Sequence, residues 1–278
     1  MIRNPAVAGQ FYSNDPVALR SYLTAALATD VPATPEVFGV VSPHAGYIYS
    51  GAVAGAVFGR VQVPGTVLLL GPNHTGVGTA ASIVSSGAWA TPLGTSEIDT
   101  GLAEALKAAC PLLQEDTRAH AREHSLEVQL PFLQVCNPQV RIVPIAFMLR
   151  RFEEIEQVGR AIAAVLTTWP NPVLVVASSD MTHYESRAEA ERKDRLAIDR
   201  VLAVDGAGLL ATAREHGMSM CGVVPTSVML VAAAACGATG GELVRYATSG
   251  DTTGDYRQVV GYAGLLIPRH GLNEGDPA

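Results

Sequence analysis

The chain has 278 residues, 48% hydrophobic and 16% charged, enough to bury a substantial core in one large domain or two small ones. Lys and Arg number 19 against 26 Asp and Glu, a formal net charge of −7, which speaks against a nucleic-acid binder or a partner of anionic membranes. The first residues, "MIRNPAVAGQFYSNDP", carry no apolar signal core, and the longest greasy stretch, "MLVAAAACGATGG", is too short to span a bilayer, so a cytoplasmic, soluble protein is expected.

In chain order, "DPVALRSYLTAALA" reads as a helix capped by Asn14 or Asp15, with Pro16 tolerated in its first turn. "VFGVVS" is an apolar strand, and "SGAVAGAVFGRV" is a small-residue helix suited to packing on a sheet. "TVLLL" and "ASIVSS" read as strands, "SEIDTGLAEALKAA" as an amphipathic helix. "REHSLEVQLPFLQV" puts Leu126, Leu130 and Leu133 on one helical face, with Pro131 expected to kink or end the helix. "RIVPIAF" and "VLVVAS" are strands on either side of the amphipathic "RFEEIEQVGRAIAAVLTT". "LVRYA" and "VVGYAGLLI" complete the strands. Several runs are apolar throughout, as strands covered on both faces are. The alternation predicts a single α/β domain with a central mixed, largely parallel sheet flanked by helices.

Three of these strands run into a histidine. "VFGVVSPHAGY" leads to His44, "VLLLGPNHTG" to His74, and "PVLVVASSDMTHY" to Asp180 and His183. Ligands bind at the carboxyl ends of strands in open α/β sheets, so one shared site is expected there. His44 and His74 follow similar turns of Pro and small residues, a context that suits metal ligation; the alternative is that each bonds a nearby carbonyl. Asp180 and His183 lie three apart, and a helical turn would project them together, with Asp180 orienting His183 as acid or base; the alternative is an Asp N-cap beside a surface His.

Cys221, in "SMCGVVPT", stands where an apolar helix begins. A helix N-terminus lowers a thiol pKa, and a thiolate is a metal ligand; the alternative is an inert buried cysteine. Cys110, Cys136 and Cys236 read as that inert kind, and with no Cys-x-x-Cys pair all four are expected reduced. Glu123, His124 and Glu127 read as a mostly solvated helix face, and "TSGDTTGDY" as a loop. His120, His216 and His270 receive no role.

Together, "RNPAVAGQFY", "SPHAGYIYSG", "GPNHTG", "EHSLEVQLPFL", "ASSDMTHY", "SMCGVVPT" and "SGDTTGDYRQVVGYAG" resemble the Memo-like family, also called AmmeMemoRadiSam system protein B, over residues 2 to 266. Residues 267–278 form a tail outside the resemblance. The resemblance implies a fold like that of the class III extradiol ring-cleaving dioxygenases, which hold iron(II) with two histidines and a glutamate and use a further histidine as acid–base. By position, His44 and His74 match the ligand histidines, His183 the acid–base histidine, and Cys221 stands where the glutamate would be. A thiolate also suits copper or zinc. The resemblance further implies radical SAM and AMMECR-type proteins as partners.

The leading expectation is a metal-dependent, iron(II) dioxygenase-like oxidoreductase acting on a small aromatic or heteroaromatic compound. His44, His74 and Cys221 would bind the metal, and His183, supported by Asp180, would move protons. The alternatives are a non-catalytic metal- or peptide-binding scaffold and a hydrolase with Cys221 as nucleophile.

Overall fold

A computed structural model describes residues 1–34 and 36–269. His270 and the tail beyond it lie outside the described residues. In chain order the elements are β1 (Ile2–Arg3), α1 (Pro16–Leu27), β2 (Val37–Ser42), α2 (Tyr47–Phe58), β3 (Thr66–Pro72), β4 (Ala81–Ile83), β5 (Ala88–Thr91), β6 (Gly94–Glu97), α3 (Thr100–Ala109) and β7 (Gln114–Glu115). A single 3-10 turn, Glu127–Gln129, leads into α4 (Leu130–Cys136), followed by β8 (Arg141–Phe147), α5 (Phe152–Thr168), β9 (Val173–Ser178) and β10 (His183–Glu185). The last elements are α6 (Arg187–Leu202), α7 (Gly206–Glu215), α8 (Val223–Ala235), β11 (Glu242–Thr248), α9 (Gly250–Thr253) and β12 (Val259–Pro268).

The main sheet runs β10-β12-β2-β9-β3-β8-β4-β7, with β11 also paired to β12. Its centre, β2-β9-β3-β8, is parallel, and antiparallel pairs on β12 and β4 flank it. The expected mixed, largely parallel α/β domain is the fold. Alternation along the central strands explains its two cores. Leu68 and Leu70 enter one, under α3, α5 and α8; Val67 and Leu69 enter the other, under α1, α2 and α4. Both faces of β3 are thereby buried, which is why it reads as an unbroken apolar run.

Local chemistry sets the ends. Asp15 caps α1 by accepting from the Ala18 N–H at 2.7 Å, as expected. Pro131 does the reverse of what its position suggested. It lies in the first turn of α4, where its missing N–H has no helical carbonyl to meet, so it starts a helix that residues 123–126 do not belong to. The Asp180–His183 stretch is not helical either: His183 opens β10, with a bulge before Glu185 and Tyr184 at φ 61°.

Candidate metal centre

Strand order builds the site. β9 lies between β2 and β3, in parallel register with both. The three loops that leave their carboxyl ends therefore sit side by side, carrying His44, Asp180 and His74. Cys221 arrives from the start of α8, which packs against β2, β3 and β9. That approach needs Gly222: its N–H donates to Ser179 Oγ at 3.1 Å, and a Cβ there would overlap the Ser178 carbonyl and the Ser179 side chain.

The donor atoms of His44, His74 and Cys221 all lie within 4.8 Å of one another. Cys221 Sγ stands 3.1 Å from His44 Nε2. The hydrogen bonds behind each imidazole settle which nitrogen faces the centre. Ser178 Oγ gives its only hydrogen to the Ser125 carbonyl at 2.7 Å and accepts from Gln129 Nε2 at 2.8 Å. It can therefore only accept from His44 Nδ1, 2.8 Å away. His44 then presents the bare lone pair of Nε2 to Cys221. His74 Nδ1 lies 2.9 Å from Glu123 Oε1, so it donates to that carboxylate and leaves its Nε2 bare as well. Metal-binding histidines are typically held in this way, by a carboxylate or another acceptor on the far nitrogen.

Glu123 is buried, not solvated as the helix reading suggested. It accepts four N–H bonds, from the His74 backbone and ring and from the His124 and Ser125 backbones. Burial pushes its carboxyl up, but the hydrogen bonds from the His74 ring and the backbone N–H groups outweigh burial and hold it at about 2. It remains an anion. Because residues 123–126 form an irregular turn, Glu123 and Ser125 turn inward instead of lying on a helix surface. Further along, Gln129 Nε2 donates to the Pro43 carbonyl at 2.9 Å, beside His44. The stretch "EHSLEVQ" is thus the support behind both histidines. In the sequence that stretch reads equally well as a solvated helix face, so nothing local marks the role.

His124 also borders the centre, stacked on His74 with ring centroids 4.7 Å apart and edge-on to His44 at 5.5 Å. Its ligand atoms also fall near those of His74 and Glu123, but Glu123 has its oxygens engaged by N–H donors, which leaves that second grouping poorly suited to a cation. Burial, followed by the neighbouring imidazoles, pushes His44 well below the ordinary histidine value, so His44 is neutral as a ligand must be.

Two expectations change. A lowered thiol pKa at Cys221 is not what the structure supports. Burial first, then the Asp180 carboxylate, push that thiol well above its usual range, and the backbone N–H groups at the start of α8 do not compensate. Without a cation the thiol keeps its proton and donates it to His44 Nε2. Asp180, expected to hold His183, accepts instead from the His44 backbone N–H at 2.7 Å, while its own N–H meets Cys221 Sγ at 3.3 Å. Burial pushes its carboxyl up.

His183 lies within electrostatic reach of His44 and Asp180, yet no candidate cation group among the described residues includes it. Its backbone N–H donates to Ser219 Oγ at 2.7 Å, and its Nδ1 is buried without a partner. Cys110, Cys136 and Cys236 are free and apart from the centre, while His120 is buried against the Ser82 carbonyl.

The fold and the centre define a class: an α/β protein in which two parallel strand ends and the start of a helix bring two histidines and a cysteine to one point. The family model described as Memo-like protein matches residues 3–266. The chain belongs to the Memo-like family. It is 46% identical to a MEMO1 family protein of Methanopyrus kandleri, over 97% of this chain and 100% of that one. A MEMO1 family protein of Methanothermobacter thermautotrophicus is 42% identical over 95% of this chain and 100% of its own, and one of Aquifex aeolicus 42% over 96% and 99%. Among the described residues, no helix is long and apolar enough to cross a membrane.

Proposed function

We propose that this protein is a metal-dependent oxidoreductase in which His44, His74 and Cys221 hold one transition-metal ion. One observation carries the reading: both imidazoles have Nδ1 fixed as a donor, to Ser178 and to Glu123, so both Nε2 lone pairs converge with Cys221 Sγ. A bound ion would supply Lewis acidity and redox chemistry. Two imidazoles and a thiolate suit iron(II), copper or zinc. The protein's part is to orient its ligands through Ser178, Gln129 and Glu123, and to release the Cys221 proton when a cation replaces it on His44. His183, outside the ligand set and with a free Nδ1, is the proton carrier in this reading, and the substrate is a small aromatic or heteroaromatic compound. The raised thiol pKa weighs against Cys221 as a metal-free nucleophile. Radical SAM and AMMECR-type partners remain part of the proposal through the family resemblance alone, and co-purification tests them.

The test is elemental analysis of protein purified without oxygen, then re-equilibrated separately with iron(II), copper(I) and zinc(II). Near-equimolar uptake by wild type, lost in Cys221→Ser, supports the reading. Uptake unchanged in Cys221→Ser and His44→Ala overturns it. A scaffold that needs no cation would keep its partner in both variants.

A further inference from the structure

We propose that the cavity between the N-terminal segment and residues 117–122 is a second small-molecule site, taking carboxylates with an apolar body. It encloses about 480 Å³, within the range of small-ligand pockets. It shares no residue with the His44, His74 and Cys221 centre and does not depend on the function proposed for that centre.

The walls are mainly apolar, with Pro5, Val84, Ala88 and Trp89 among them. The guanidinium of Arg3 lies over the Trp89 ring at 4.3 Å, making a rigid floor. No Asp or Glu lines the cavity, although acidic residues outnumber basic ones 26 to 19 in the chain. Its two arginines differ. Arg3 is spent on Glu127 at 2.7 Å and on the carbonyls of His120 and Glu123. Arg122, exposed at the edge, makes no ion pair or hydrogen bond with any described residue. A free guanidinium beside an apolar cavity recognises a carboxylate, which it can grip with two parallel N–H bonds. His120 offers the cavity no free donor: its Nε2 donates to the Ser82 carbonyl at 3.0 Å, and its Nδ1 is buried. A largely apolar wall with a few placed polar groups and a free guanidinium at its edge suits a small amphipathic acid.

Phenylacetate is the probe, with 2-phenylethanol as its uncharged counterpart. Binding to the whole wild-type chain is followed by NMR of carbon-13-labelled alanine methyls, of which Ala6, Ala88 and Ala121 line the cavity. Saturable shifts confined to these methyls are expected. Arg122→Ala should weaken phenylacetate roughly fivefold, the upper range for an exposed ion pair, without changing 2-phenylethanol. Ala121→Leu, which narrows the mouth, should weaken both. No saturable shift at these methyls overturns the proposal. So does equal affinity for the acid and the alcohol, or binding untouched by both substitutions. Metal content, measured alongside, should be the same in all variants.

Discussion

His44 Nε2 and Cys221 Sγ stand 3.1 Å apart although 177 residues separate them in sequence. Neither side chain finds the other through a local motif. β2 and β9 deliver the histidine, and the packing of α8 on those strands delivers the cysteine. The pair is a neutral thiol–imidazole contact in which the thiol donates to the bare His44 Nε2.

Ligands and proton carrier should separate by substitution. Calorimetric metal titration of His44→Ala, His74→Ala and Cys221→Ser should show affinity collapsing in each. His183→Ala should keep wild-type metal affinity and lose turnover by about 10²- to 10⁴-fold, the usual contribution of a positioned acid or base. Loss of metal in His183→Ala with retention in Cys221→Ser would mean a three-histidine site.

The groups behind the imidazoles should matter nearly as much. Ser178→Ala removes the acceptor on His44 Nδ1, and Glu123→Gln puts an NH₂ among N–H donors around His74. Metal affinity should fall by roughly 10- to 100-fold in each while the fold persists. Circular dichroism beside the same titration checks both halves; unchanged affinity would remove the tautomer argument.

Gly222→Ala should harm the centre without touching a ligand. Its methyl group would meet the Ser178 carbonyl and force α8 away from β9. Destabilisation of about 1–3 kcal/mol in urea unfolding is expected, together with weaker metal binding. A variant as stable and as metal-competent as wild type would show that the close approach is not required.

Arg3→Ala should be costly. Arg3 closes an almost fully buried ion pair with Glu127 at 2.7 Å, and Glu127 also accepts from Ala6 N, Val7 N and the Tyr12 hydroxyl. Removing the cation leaves a buried carboxylate uncompensated, at a cost of about 3–5 kcal/mol. Urea unfolding measures it, and a loss below about 1 kcal/mol would contradict the burial argument.

Asp194 should act in the opposite direction. It accepts from the Thr182 N–H at 2.9 Å and from the Tyr246 hydroxyl at 2.7 Å, and burial pushes its carboxyl above the ordinary value despite those bonds. An acid whose folded pKa is raised is favoured in its protonated form. Its contribution is therefore intact below the ordinary Asp value and is lost as pH rises through the folded one. Asp194→Asn keeps the shape without the charge. Its melting temperature relative to wild type should rise between pH 4 and pH 8. A difference that falls over that interval would reverse the assignment.

By itself the sequence determined the central strands and the two loop histidines, but not the short β1, β5, β6, β7 and β10. β2, β3 and β9 are written as continuous apolar runs because both their faces are covered, and Pro and small residues after β2 and at the end of β3 mark where His44 and His74 leave the sheet. Local pattern also placed Asp15 as a cap and Cys221 at a helix start. It did not reveal α6, whose buried stripe contains Ala190, Asp194 and Ala197 beside only Ile198 and Val201, a weak apolar signal on a charged helix. Tertiary structure alone decided what the polar residues do. Glu123 is a buried anion because N–H groups from two loops converge on it, and Asp180 serves the His44 backbone because β2 and β9 are neighbours. The Cys221 thiol is raised because enclosure outweighs a few N–H dipoles. A charge's environment is the sum of everything packed around it, and most of that comes from far along the chain.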